Sequence, residues 1–143
     1  MLATYTRSDP GFSHTATAAA VANLGGRIGA WVADVAHMVL GYSSWLVVLA
    51  GAAWVVRGFR RLHAPYAQQG LPDWVQAIGF LVLLVGCSGL EGLRLQWIAG
   101  SLPQGAGGVF GAAVAAALQA GLGFTGATLA LLAAIALGAS LFF

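Results

Sequence analysis

The sequence contains no lysine. A P-loop needs that residue to hold the phosphates of its nucleotide, so this route to nucleotide hydrolysis is excluded. Only 7% of the residues are charged, six arginines against four acids. An ordinary soluble domain carries about 25%, and so little charge cannot cover a soluble globule. The net charge of +2 is too small and too scattered for a nucleic-acid footprint, which needs a clustered basic face. The single cysteine, Cys87, excludes an intrachain disulfide and a thiolate metal cluster. His14 and His63 lack metal-ligand partners at useful spacing. No Gly-x-Ser-x-Gly and no legible Ser-His-Asp set occur, so neither catalysis nor a cofactor is expected of this chain.

What the chain does have is apolar length. It is 59% hydrophobic and carries 21 glycines. Lipid must be the solvent over most of it, and helices that pack by close backbone contact suit the glycines. The expected fold is all-α: a polytopic membrane helix bundle, with about three transmembrane helices plus one or two interfacial or re-entrant helices.

Residues 1–24 are polar and turn-rich, with Asp9-Pro10-Gly11 as a turn signal, and read as an extramembrane segment packed on the bundle. Residues 25–143 form the transmembrane domain. The apolar run Ile28–Val56 would be about 43 Å long as one helix, more than the roughly 30 Å hydrocarbon core. Gly25–Asp34 is therefore placed at the outer interface, with Trp31 at headgroup level, and the first crossing near 35–56. Gly41-Tyr42-Ser43-Ser44 is its weak point, where a kink is plausible. Residues 57–72 hold Arg57, Arg60 and Arg61, half of all the arginines, so this loop is cytoplasmic and the N-terminus lies outside. Pro72-Asp73 opens the next helix. It crosses near 74–90 and continues to about Ala99, and Glu91 and Arg94 can pair at i,i+3. In the outer region 91–123, Val109–Ala120 is too short to cross, and Gly121-Leu122-Gly123 turns the chain. The last crossing is near 124–142.

Three groupings are candidates for function. Asp34 and His37 share a helical face. They read either as an ion-coupling pair or as a hydrogen-bonded interfacial pair that fixes helix depth, and the second needs fewer assumptions because no acid in the later crossings continues a pathway. Glu91 and Arg94 read either as a channel mouth or as a solvated helix end. The Gly-xxx-Gly spacings Gly25–Gly29 and Gly107–Gly111 serve packing, within the chain or between copies.

Four segments also carry a resemblance. Asp9-Pro10-Gly11-Phe12-Ser13, Asn23-Leu24-Gly25-Gly26, Gly29-Ala30-Trp31-Val32-Ala33-Asp34 and Gly41-Tyr42-Ser43 together resemble the N-terminal membrane region of FtsK-type DNA translocases, the septal proteins that pump chromosomal DNA during bacterial cell division. Beyond residue 73 the resemblance is one of pattern, with Gly107-Gly108-Val109-x-Gly111 between two crossings. It implies a membrane anchor and scaffold in the bacterial inner membrane, at the division septum. It also implies a hexamer, other cell-division membrane proteins as partners, and a separate motor domain that binds ATP and DNA. No motor motif has a counterpart here, so this chain itself is expected to bind neither. The family's region has four crossings; Met1-Leu2-Ala3 looks like the outer end of its first, and the uncharged end at Phe143 looks like a cut before a linker. A different class of function is also open: a small transporter or channel subunit using Asp34, His37, Glu91 and Arg94.

The orientation is testable with reporters. Alkaline phosphatase inserted in 57–72 should be inactive and one inserted near Gln104 active, and the reverse pattern would overturn it.

Overall fold

The computed structural model describes residues 1–6, 8–13, 21–63, 70–98, 100, 102 and 104–143. The alanine-rich stretch Ala18–Ala22, which the sequence suggests as a short helix at the membrane boundary, falls mostly outside them. Among the described residues every regular element is helical. There are four α-helices: α1 (Gly26–Leu40), α2 (Ser44–His63), α3 (Asp73–Arg94) and α4 (Gly108–Phe142). The stretches Gly26–His63, Asp73–Arg94 and Gly108–Phe142 are long and apolar enough to cross a membrane.

The first of these is not one helix. α1 stops at Gly41, whose φ of 61° and ψ of −137° suit a residue without Cβ. A 3-10 turn, Gly41–Ser43, leads into α2. The break has a packing cause. The Tyr42 amide donates to the carbonyl of Ala106 at 2.8 Å, and a Cβ on Gly41 would collide with that carbonyl. A backbone from the far end of the chain thus occupies the space that a continuous helix would need.

α3 starts at Asp73 as expected, with Pro72 as its cap. Asp73 in the first turn and Arg94 in the last both suit the helix dipole. The helix ends at Arg94, earlier than the expected Ala99, and a 3-10 turn Gln96–Ile98 follows. α4 is interrupted at Gly123, with φ 67° and ψ 176°. The interruption reverses the chain. Val114 and Leu131 would lie about 25 Å apart in a straight helix, yet both side chains come within 2.8 Å of where a Cβ on Gly89 would sit.

The core is the seam between α3 and the two arms of α4. Glycines make it close. A Cβ on Gly79 would meet Leu141 at 2.6 Å, one on Gly86 would meet Ile135 at 2.8 Å, and one on Gly92 would meet the Gly111 carbonyl at 2.5 Å. From the other side, Gly107 and Gly111 lie against the Ser88 carbonyl, and Gly138 against the Leu83 amide. The Ser88 hydroxyl donates to Gly107 O at 2.9 Å. With lipid as solvent there is little hydrophobic drive between helices, so such contact and interhelical hydrogen bonds supply the cohesion. α2 is more peripheral: only Ser44 and Ala50 on it are buried.

Gly111→Ala should lower stability by about 1–3 kcal/mol through overpacking. Gly51, where an added Cβ meets nothing within 4 Å, is the control: Gly51→Ala should raise stability by up to about 1 kcal/mol through helix propensity. Thermal unfolding in detergent measures both, and equal effects would contradict the close seam.

Candidate functional site

Polar side chains are few, and they gather at two ends of the bundle. At the first end the N-terminal segment lies over α1. Asp34 is fully buried, although a place near water is expected from the sequence. Its carboxylate accepts from the Tyr5 hydroxyl at 2.8 Å, the Ser13 amide at 2.6 Å and the Ser13 hydroxyl at 3.0 Å. A carboxylate taken out of water requires such donors, and here residues 5–13 supply them. Gly11 must be glycine because a Cβ there would sit 2.6 Å from Asp34 Oδ2. Asp9, also buried, accepts the amides of Ala22 and Asn23 at 2.7 and 2.8 Å. Pro10, beside it, is half-buried. Asn23 donates to Met1 O at 2.9 Å and Thr4 O at 3.3 Å, and accepts the Gly25 amide at 2.9 Å. Gly25 caps α1 and Gly26 opens it with a positive φ. Cβ atoms on Gly25 and Gly29 would both crowd Asn23 and Met1, so this Gly-xxx-Gly pair faces the chain's own N-terminal segment. Trp31 is exposed and meets Phe12 edge-on at 5.8 Å.

His37 lies under the Tyr5 ring, 5.0 Å between centroids. Its Nδ1 is 3.1 Å from Gly41 O and 3.2 Å from Ser44 Oγ. A carbonyl can only accept, so Nδ1 carries the proton. His37 therefore ties the end of α1 to the start of α2. Glu91 and Arg94 do not pair with each other. Glu91 accepts the amide and hydroxyl of Ser43 at 3.0 and 2.9 Å. Arg94 donates to Thr128 Oγ1 at 3.1 Å and lies 4.6 Å over the Phe124 ring. Their partners on the 3-10 turn and α4 are simply nearer than they are to each other.

At the second end Arg57 joins three helices. Its guanidinium donates to Gln76 Oε1 at 2.9 Å and Phe142 O at 2.7 Å and stacks over the Phe142 ring at 4.6 Å. Arg61 forms a two-pronged ion pair with Asp73, while Arg60 is exposed. Among the described residues no three His, Cys, Asp or Glu gather as metal ligands would.

The polar groups thus join segments to one another. Tyr5, Gln76 and Thr128 are not among the residues that the sequence singles out, and Ser13 and Ser43 are there only as parts of the family-like segments and, for Ser43, of the weak point at 41–44. The available signal was supply and demand, because four acids in an apolar chain must each find donors, and short polar side chains at bends are the stock from which to choose.

The comparisons with known proteins agree with this all-helical membrane character. A profile described as the 4TM region of DNA translocase FtsK/SpoIIIE matches residues 1–143. The chain belongs to the FtsK/SpoIIIE 4TM family. It is 41% identical to DNA translocase FtsK 2 of Ralstonia nicotianae, over all of this chain and 19% of that protein. It is 38% identical to DNA translocase FtsK of Pseudomonas syringae pv. syringae, over 99% of this chain and 18% of that one. It is 36% identical to DNA translocase FtsK 1 of Neisseria meningitidis serogroup A, over 98% and 18%. The chain therefore spans about a fifth of the length of these FtsK relatives. No solved structure matches it. Membership in the FtsK 4TM family fits a membrane anchor in the bacterial inner membrane.

Asp34→Ala should release residues 1–13 from α1. Hydrogen exchange at the Ser13 amide should then quicken at least about tenfold, the factor for 1.4 kcal/mol. Unchanged protection would show that other contacts hold the segment.

Proposed function

We propose that this chain is the membrane anchor and scaffold of a septal DNA translocase that acts in cell division and chromosome partition. The observation that carries the reading is the whole-chain match to a translocase's 4TM region by a sequence with 59% hydrophobic residues and no lysine. ATP hydrolysis and DNA binding then belong to the remaining four-fifths of a relative's length. The anchor would work as a homo-oligomer, a hexamer by family resemblance, beside other division proteins. In this orientation residues 1–24 and 91–123 lie in the periplasm and 57–72 in the cytoplasm, with crossings near 35–56, 74–90 and 124–142.

The local geometry fits a passive scaffold better than a conduit. Asp34 bonds to Tyr5 and Ser13, His37 and Glu91 to the 41–44 turn, and Arg94 to Thr128 on α4, and Asp34 and Glu91 each accept from hydroxyl and amide donors. A transport reading would need these groups to line one water path.

The test is localisation. A fluorescent protein on the C-terminus, expressed in a dividing Gram-negative cell, should give a band at midcell. An even membrane distribution that persists when a preceding crossing from an FtsK relative is added would overturn the septal reading.

A further inference from the structure

The arginine-rich end of the bundle contains a cavity between α2 and the start of α3. It measures about 460 Å³ and is lined by Trp54, Arg57, Gly58, Arg61, Trp74 and Ala77, among others. Its charged lining is Arg57 and the Arg61–Asp73 ion pair, a net single positive charge. Arg57 spends two N–H groups on Gln76 and Phe142 of the five that a guanidinium has. The start of α3 adds partial positive charge. Pro72 O takes the amides of Val75 and Gln76, leaving those of Asp73 and Trp74 as open donors among the described residues. Trp54 and Trp74 are exposed at the rim, as tryptophans are at a membrane–water boundary.

A second cavity of about 290 Å³ lies further along the same two helices. It is bounded by Leu46, Leu49, Ala50, Phe80, Leu83 and Phe142, and has no charged lining residue. Phe142 joins the two: its ring lies under the Arg57 guanidinium and also walls the apolar space. A chamber with a net positive lining thus lies beside a wholly apolar one, with Phe142 between them. An amphiphile with an anionic head and a hydrocarbon tail matches both. A free anion would leave the apolar space unused, and a zwitterionic lipid would gain nothing from the net charge.

We propose that this groove between α2 and α3 binds one anionic phospholipid, with its phosphate at Arg57 and Arg61 and one acyl chain beside Phe80 and Phe142. Basic pockets between membrane helices recognise anionic headgroups by the same chemistry. The lipid would fill the gap that leaves α2 peripheral, and it would tie anchor stability to membrane composition. The proposal needs only that the chain sits in a bilayer, so it stands or falls separately from septal localisation.

The full chain, purified in detergent, can be titrated with phosphatidylglycerol, phosphatidylcholine or inorganic phosphate, with bound lipid read by native mass spectrometry and stability by thermal melting. Phosphatidylglycerol should bind at least about fivefold more tightly than phosphatidylcholine, the equivalent of about 1 kcal/mol for one charge at a membrane surface. It should also raise the melting temperature. Gly58→Leu fills the headgroup chamber at a position where a Cβ meets nothing within 4 Å, so it should fold and lose the preference. Ala53→Phe, which closes the apolar chamber, should lose it too. Equal binding of the two lipids, an equal shift from inorganic phosphate, or an undiminished preference in both folded variants would overturn the proposal.

Discussion

A carboxylate buried in an apolar bundle has to be met by donors, and the chain around Asp34 is arranged to meet it. Among the described residues, Tyr5 and Ser13 are donors to it, so the segment before α1 must fold back across that helix. Gly11 is bare because the carboxylate needs its space. Tyr5 places its ring on His37 while its hydroxyl serves Asp34, and His37 in turn holds the carbonyl of Gly41. One buried charge thereby sets the course of the N-terminal segment and steadies the end of α1. Asp9 repeats the arrangement one layer out, on the amides that precede α1. Breaking either carboxylate's contacts would cost more than the hydrogen bonds alone, because the charge would remain buried and unmatched.

The glycines make the complementary contribution. Polar latches hold only where backbones are close enough to be latched. Ser88 reaches Gly107 O because Gly92, Gly107 and Gly111 let α3 and α4 touch. Gly41 does the same for the crossing with Ala106, and that contact positions Ser43 for Glu91. Close approach and hydrogen bonding are therefore one device in this fold, with the glycine supplying distance and the serine supplying specificity.

Much of this was legible in the sequence, and the limits have physical reasons. Periodicity is a local property, so the starts of α3 and α4, the turn at Gly123 and the number of long apolar stretches follow from residues near each position. The split at Gly41 was foreseen only as a weak point, because its cause is a carbonyl 65 positions away. Spacing suggested a Glu91–Arg94 pair, since i,i+3 neighbours can meet on a helix. It could not show that Ser43 and Thr128 would be brought closer by other elements. Asp34 was placed near water for the same reason, since nothing local says that residues 5–13 will cover it. The Gly107–Gly111 pair was legible as a contact but not its partner on α3.

These differences share a pattern that bears on the peripheral position of α2. α3 and α4 are joined along their lengths by glycine contacts and the buried Ser88–Gly107 bond, and the last turn of α1 meets Gly108 at Val39 O. α2 is fastened at its ends: Ser44 to His37 at one, Arg57 and Arg61 to Gln76, Phe142 and Asp73 at the other. Between them only Ala50 is buried. Gly51 and Gly58 have open space where a side chain would go, so α2 does not use its glycines as α3 does. A helix pinned at both ends over an unfilled apolar gap can shift its middle at little cost, because few contacts are lost when it moves. Whatever fills that gap sets the distance between α2 and the rigid pair α3–α4.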